Sequence, residues 1–106
     1  MTNSEEYLYR IQPTRPAMLK EGPSEEEADL VSKHFAYLQE LTASGHVLLA
    51  GRTQNDDPSS FGIVIFRAES KAAALKVFQG DPAVAGGVFQ GELFPFKIAL
   101  TGELSD

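Results

Sequence analysis

The chain has 106 residues, a formal net charge of −6, 42% hydrophobic and 23% charged residues, and no cysteine. That describes one ordinary globular domain over residues 1–106 with a single core, and excludes disulfides, thiolate nucleophiles and cysteine-ligated metals. The acidic balance leaves no Lys/Arg cluster for a nucleic acid and disfavours an anionic membrane, and no apolar run approaches the ~20 residues that span a bilayer.

Residues 1–6 are polar and acidic, without the basic and then apolar stretch of a secretory signal, so a cytoplasmic location is expected. Residues 6–12 alternate Tyr7, Tyr9 and Ile11 against Leu8, Arg10 and Gln12, a period of two that predicts a strand with one apolar face. Pro13 stops it. Residues 13–23 hold three prolines and a glycine among Arg15, Met18 and Lys20, which reads as an irregular loop, either a ligand wall or a surface excursion.

Residues 24–45 read as an amphipathic helix. Ser24 and Glu27 form a capping box, Glu25, Glu26 and Glu27 place negative charge at the positive end of the helix dipole, and Gly45 supplies the terminating residue. The apolar stripe of Ala28, Leu30, Val31, Phe35, Leu38 and Leu41 is interrupted by His34. At about 100° per residue, His34 projects within roughly 30° of the middle of that stripe, so it faces inward. An inward imidazole is either a hydrogen-bonded core group or a proton-transfer group tuned by burial and a carboxylate. His46 follows Gly45 in an exposed turn and is given no chemical role. Two histidines twelve positions apart on different elements do not suggest a metal site.

Residues 47–50 form an apolar strand running into Gly51-Arg52-Thr53. The cluster Asn55-Asp56-Asp57-Pro58-Ser59-Ser60 is a turn by composition, and residues 61–67 return as the second strand of a hairpin. Ser70 caps a helix over 71–79 with Ala72, Leu75 and Phe78 on one side, ended by Gly80. Asp81-Pro82 then starts a short helical turn through Ala85, broken at Gly86-Gly87. That glycine pair lacks the strand, lysine and spacing of a phosphate loop, so no nucleotide cofactor is indicated. Residues 88–100 read as one long strand with Phe94, Phe96, Ile98 and Leu100 on one face and Pro95 at a bulge or edge position.

The order strand, helix, strand, strand, helix, strand predicts an α+β ferredoxin-like fold, an antiparallel four-stranded sheet with both helices on one face. The hairpin strands are apolar on both faces, yet the helices cover only one. The other face is expected to pack against an identical subunit, or to bind a flat apolar ligand.

His34-Phe35-Ala36-Tyr37-Leu38, Leu48-Leu49-Ala50-Gly51-Arg52-Thr53, Phe61-Gly62-Ile63-Val64-Ile65-Phe66, Gly80-Asp81-Pro82-Ala83-Val84 and Glu92-Leu93-Phe94-Pro95-Phe96 occur in an order and spacing that resemble the YCII-related (YciI-like) family. The likeness is greatest to a subgroup with an extended first loop and an Ala-Gly-Arg-Thr motif. It implies a homodimeric α/β barrel similar to muconolactone isomerases and small antibiotic-biosynthesis-type monooxygenases. It also implies a histidine–aspartate site, falling here on His34 and Asp81, and a known family reaction is dehydrochlorination of a chlorinated hydroxyquinone.

A carboxylate beside His34 would orient one ring nitrogen and free the other as general acid or base. Without an activated serine, cysteine or metal, such a pair suits proton abstraction, isomerisation or elimination; Ser32 points elsewhere on the helix. Arg52, beside Gly51 at a strand end, is a candidate for holding an anionic or enolate oxygen or else a surface ion pair, and Arg15 on the long loop is a weaker candidate of the same kind. Two classes follow. One is a cofactor-independent lyase or isomerase acting on a small cyclic or enolisable molecule; the other is a non-catalytic ligand-binding or dimerisation module in which His34 and Asp81 are structural.

Overall fold

The computed structural model describes residues 5–104. The elements are β1 (Glu5–Pro13), α1 (Met18–Glu21), α2 (Glu25–Ala43), β2 (Val47–Arg52), β3 (Gly62–Ala68), α3 (Lys71–Gly80), α4 (Pro82–Ala85) and β4 (Phe89–Pro95). The sheet runs β2-β3-β1-β4 with every neighbour antiparallel, which is the ferredoxin-like split βαβ arrangement.

Alternation along β1 decides where the core lies. Tyr7, Tyr9 and Ile11 are buried and opposite Phe66, Val64 and Gly62 of β3, and together with Val47, Leu38 and Ala74 they form the principal core between sheet and helices. The Tyr9 ring lies 5.8 Å from that of Phe66 and 5.0 Å from that of Phe78, packing aromatic surface at the centre of the domain.

Both ends of α2 follow the local chemistry. The Ser24 side chain accepts from the Glu27 backbone N–H, and the Glu27 carboxylate accepts from the Ser24 N–H at 2.8 Å. Gly45 takes a positive φ of 86° just past the helix, where a side chain would be strained. The buried arc of α2 is narrower than the stripe read from the sequence. It comprises Leu30, Val31, Tyr37, Leu38 and Leu41 with His34 at its centre, while Ala28 and Phe35 are exposed, Phe35 to 61%. At about 100° per residue those two lie roughly 100–120° from His34, beyond the reach of the sheet. On α3 the inner arc is likewise Ala73, Ala74, Val77 and Phe78 rather than Ala72, Leu75 and Phe78; Ala72 and Leu75 face outward.

Two further differences have physical causes. The 13–23 segment is not wholly irregular, because α1 forms within it and buries Met18 against Ala83 and Val88. The last strand is shorter than 88–100. Pro95 pairs with Tyr7 but has no N–H for the ladder, and among the described residues the last backbone bond to β1 runs from Phe96 N–H to the Glu6 carbonyl, Ile98 N–H turning instead to the Glu6 side chain. Leu100 is consequently 93% exposed. Pro95 sits on β4, an edge strand, as a residue without an N–H requires.

On the face away from the helices, Leu49, Ile65, Leu8 and Phe94 are successive cross-strand partners and make one apolar row across all four strands. Leu49 and Phe94 are about 40% exposed within the single chain.

Candidate functional site

The site is assembled by Asp81, the residue between α3 and α4. As N-cap of α4, Asp81 accepts from the Ala83 N–H through Oδ1 at 3.0 Å, with Pro82 at the first helical position. A capping aspartate ordinarily faces water, but Asp81 is 0% exposed. Its buried oxygens are satisfied by two other elements: His34 Nδ1 of α2 lies 2.8 Å from Oδ1 and 2.7 Å from Oδ2, and the Tyr9 hydroxyl of β1 donates to Oδ2 at 2.7 Å.

This pattern assigns a tautomer to the histidine. A carboxylate that is only an acceptor requires a proton on Nδ1, so the neutral ring carries its lone pair on Nε2. The Nδ1 contact is the only hydrogen bond of the His34 ring among the described residues, and no buried side-chain nitrogen or oxygen there is unpaired, so Nε2 opens toward solvent. The side chain is 13% exposed, and its ring meets Phe89 of β4 edge-on at 5.2 Å. The arrangement offers one proton-accepting or proton-donating nitrogen, with the rest of the ring held by a carboxylate and an aromatic wall.

Sequence reasoning missed two tyrosines. Burial, then the Asp81 charge and hydrogen bond, hold the Tyr9 phenol far above its ordinary pKa, so it remains a donor. Tyr37 donates to the Val77 carbonyl at 2.7 Å, and burial followed by the Asp81 charge raises its pKa also. A signal for Tyr9 was available: a tyrosine on the buried face of a central strand needs an acceptor for its hydroxyl.

The other sequence candidates sit apart. Arg15 is held by Glu27, with Nη2 at 2.7 Å from Oε1 and Nε at 3.0 Å from Oε2, and it also reaches Glu21 and the Gly22 carbonyl. It thereby pins the α1 segment to the start of α2. Its hydrogen bond, with that from the Ser24 backbone, holds the Glu27 carboxyl down at about 2. Arg52 is exposed at the end of β2, beside Gly51, with no side-chain hydrogen bond or ion pair among the described residues. Neither arginine bonds to His34 or Asp81. His46 is exposed, its Nδ1 2.7 Å from the Ser44 hydroxyl.

A half-open depression of about 310 Å³ lies between the 13–23 segment, the start of α2 and the Gly86-Gly87 turn. Thr14, Arg15, Glu27, Leu30 and Val88 are among its walls, and Leu30 is one helical turn from His34. Among the described residues no cluster of three or more His, Asp or Glu side chains could hold a metal, and no helix is long and apolar enough to cross a membrane.

The YCII-related domain model matches residues 7–97, nearly all of the described fold. The chain belongs to the YCII-related family. No curated protein matches it. Among solved structures, it is similar to a 5-chloro-2-hydroxyhydroquinone dehydrochlorinase from Burkholderia phenoliruptrix in complex with 2,5-dihydroxybenzoquinone, at 23% identity and a TM-score of 0.61, covering 86% of this chain and 93% of that one. An uncharacterized protein from Thermotoga maritima has 10% identity and a TM-score of 0.56, covering 89% and 99%. An antibiotic-biosynthesis-monooxygenase-type protein from Bacteroides thetaiotaomicron has 17% identity and a TM-score of 0.55, covering 98% and 97%. At these identities the likeness is one of fold, and an enzyme, the dehydrochlorinase, is among the neighbours sharing it.

Proposed function

We propose that this YCII-related protein is a small cofactor-independent enzyme in which His34 and Asp81 carry out general acid–base chemistry of lyase or isomerase type. The observation that carries the reading is the Asp81 carboxylate, fully buried and bonded to His34 Nδ1, with Nε2 left toward solvent. Asp81 orients the ring and stabilises the imidazolium formed when Nε2 takes a proton; the same nitrogen returns that proton to a leaving group or to another carbon of the substrate.

The substrate class is a small cyclic or enolisable molecule, such as a hydroxyquinone, whose acidic C–H or O–H one base can ionise. Arg52 and the Gly51 backbone, or Arg15 on release from Glu27, are the candidates for holding the resulting oxyanion. Within the family we assign the chain to the subgroup with the extended first loop and the Ala-Gly-Arg-Thr motif, a reading supported by the α1 segment and the Arg15–Glu27 pair that shape that loop. The apolar row Leu49, Ile65, Leu8 and Phe94 packs against the same row of a second copy, forming a dimeric barrel.

A second reading is favoured by one observation: Asp81 also caps α4 and binds Tyr9, so the pair can serve simply to join β1, α2 and α4. The test is a turnover screen of halogenated hydroxyquinones and enol lactones with wild type, His34→Gln and Asp81→Asn. The enzyme reading predicts turnover by wild type that falls at least about 100-fold in His34→Gln while the fold persists. Turnover unchanged in His34→Gln, or a loss tracking only unfolding, supports the structural reading.

A further inference from the structure

We propose that Tyr9 is a positioning residue of the His34 site: its hydroxyl, seated on Oδ2 of Asp81, sets how tightly that carboxylate holds the imidazole and hence how readily Nε2 gains and loses a proton. The inference rests on the reading of His34 and Asp81 as an acid–base pair and adds a third member to it.

The two oxygens of Asp81 have different second donors. Oδ1 takes the Ala83 N–H, a bond that comes with any aspartate capping a helix; Oδ2 takes the Tyr9 hydroxyl from β1, 72 positions away, which no cap requires. Packing does not explain that hydroxyl either. The contacts of the Tyr9 ring with Phe66 and Phe78 would be made equally by phenylalanine. The three tyrosines also divide their work. Tyr7 donates to Glu5 and Tyr37 to the Val77 carbonyl, so Tyr9 alone serves the carboxylate. Being fully buried, its hydroxyl has no water to turn to, and it stays on Asp81.

A donor on a carboxylate withdraws charge from the other bonds which that carboxylate accepts. Removing the Tyr9 hydroxyl strengthens the hold of Asp81 on the imidazolium and raises the histidine pKa; a stronger donor does the reverse. The other groups nearby do not obscure this effect. Tyr37 of α2 feels the Asp81 charge but is bonded elsewhere, β4 presents the uncharged Phe89 ring to the imidazole, and the Asp29–Lys33 pair of α2 is exposed and bonded to itself.

The experiment is an NMR titration of the His34 ring nitrogens in the full chain. It compares wild type, Tyr9→Phe, Asp81→Asn and a protein with 3-fluorotyrosine, a stronger donor, at position 9. The expected result is a His34 pKa raised by about half a pH unit in Tyr9→Phe, lowered with fluorotyrosine, and lowered in Asp81→Asn. If the two changes at position 9 leave it unmoved while Asp81→Asn shifts it, Tyr9 is only a core residue and the His34–Asp81 pair stands. If Asp81→Asn also leaves it unmoved, the pair is not coupled and both readings fall. Should Tyr9→Phe not fold, the fluorotyrosine protein alone decides.

Discussion

Asp81 and His34, 47 positions apart, are joined through both carboxylate oxygens at 2.7 and 2.8 Å, and the carboxylate belongs to the side chain that starts α4. The two partners therefore differ in what their loss leaves behind. Asp81→Ala strands the buried Tyr9 hydroxyl and removes the α4 cap, and is expected to cost about 2–4 kcal/mol. His34→Ala leaves Asp81 with two donors and is expected to cost about 1–2 kcal/mol. Urea unfolding at pH 7 measures both; the reverse order would show that the network is not centred on the carboxylate.

Acid should release the α1 segment. The folded Glu27 pKa of about 2 lies below the ordinary 4.5. Its contribution is therefore complete above about pH 4.5 and is lost as pH falls toward 2. Wild type should be more stable than Glu27→Gln at pH 7, with the gap closing between pH 4.5 and 2. A gap constant across that range would mean that the Arg15–Glu27 pair does not form in solution.

Gly91 is a point of no tolerance in the sheet. A Cβ built there would lie 2.1 Å from the Arg10 carbonyl oxygen, a backbone atom that cannot swing aside. Gly91→Ala should separate β1 from β4 locally and cost at least about 2 kcal/mol, whereas Gly102→Ala, with open space around it, should be neutral in the same thermal melts.

The dimer proposal makes its own demand on the open face. Ile65→Lys places a charge in the middle of the apolar row, and should convert a dimer into a monomer in sedimentation equilibrium while leaving the helix-side core intact. A wild-type protein that sediments as a monomer would remove the second copy from the account.

Much of this was legible in the chain because the signals were local. Ser24 with Glu27, Asp81 with Pro82, Gly45 and the alternation around Tyr7 and Tyr9 each specify backbone geometry within a few residues, and the order of the elements then selected the fold. His34 could be read as inward from the helical period alone. What escaped was set by distant neighbours. Phe35 faces water because the sheet reaches only part of the α2 circumference, and past Phe96 the chain leaves the β1 backbone, with Ile98 N–H on the Glu6 side chain. Tyr9 reaches Asp81 across the core, from β1 to the junction of α3 and α4, which no spacing along the chain records.

The central claim is that His34 moves protons at Nε2, and deuterium incorporation tests it without knowledge of the full reaction. Hydroxyquinones and enolisable lactones are incubated in D2O with wild type or His34→Gln, and exchange at carbon is followed by NMR. The account predicts that wild type accelerates exchange in at least one compound and that His34→Gln returns it to the buffer rate. Equal exchange with the two proteins, or none above buffer across the panel, would contradict it.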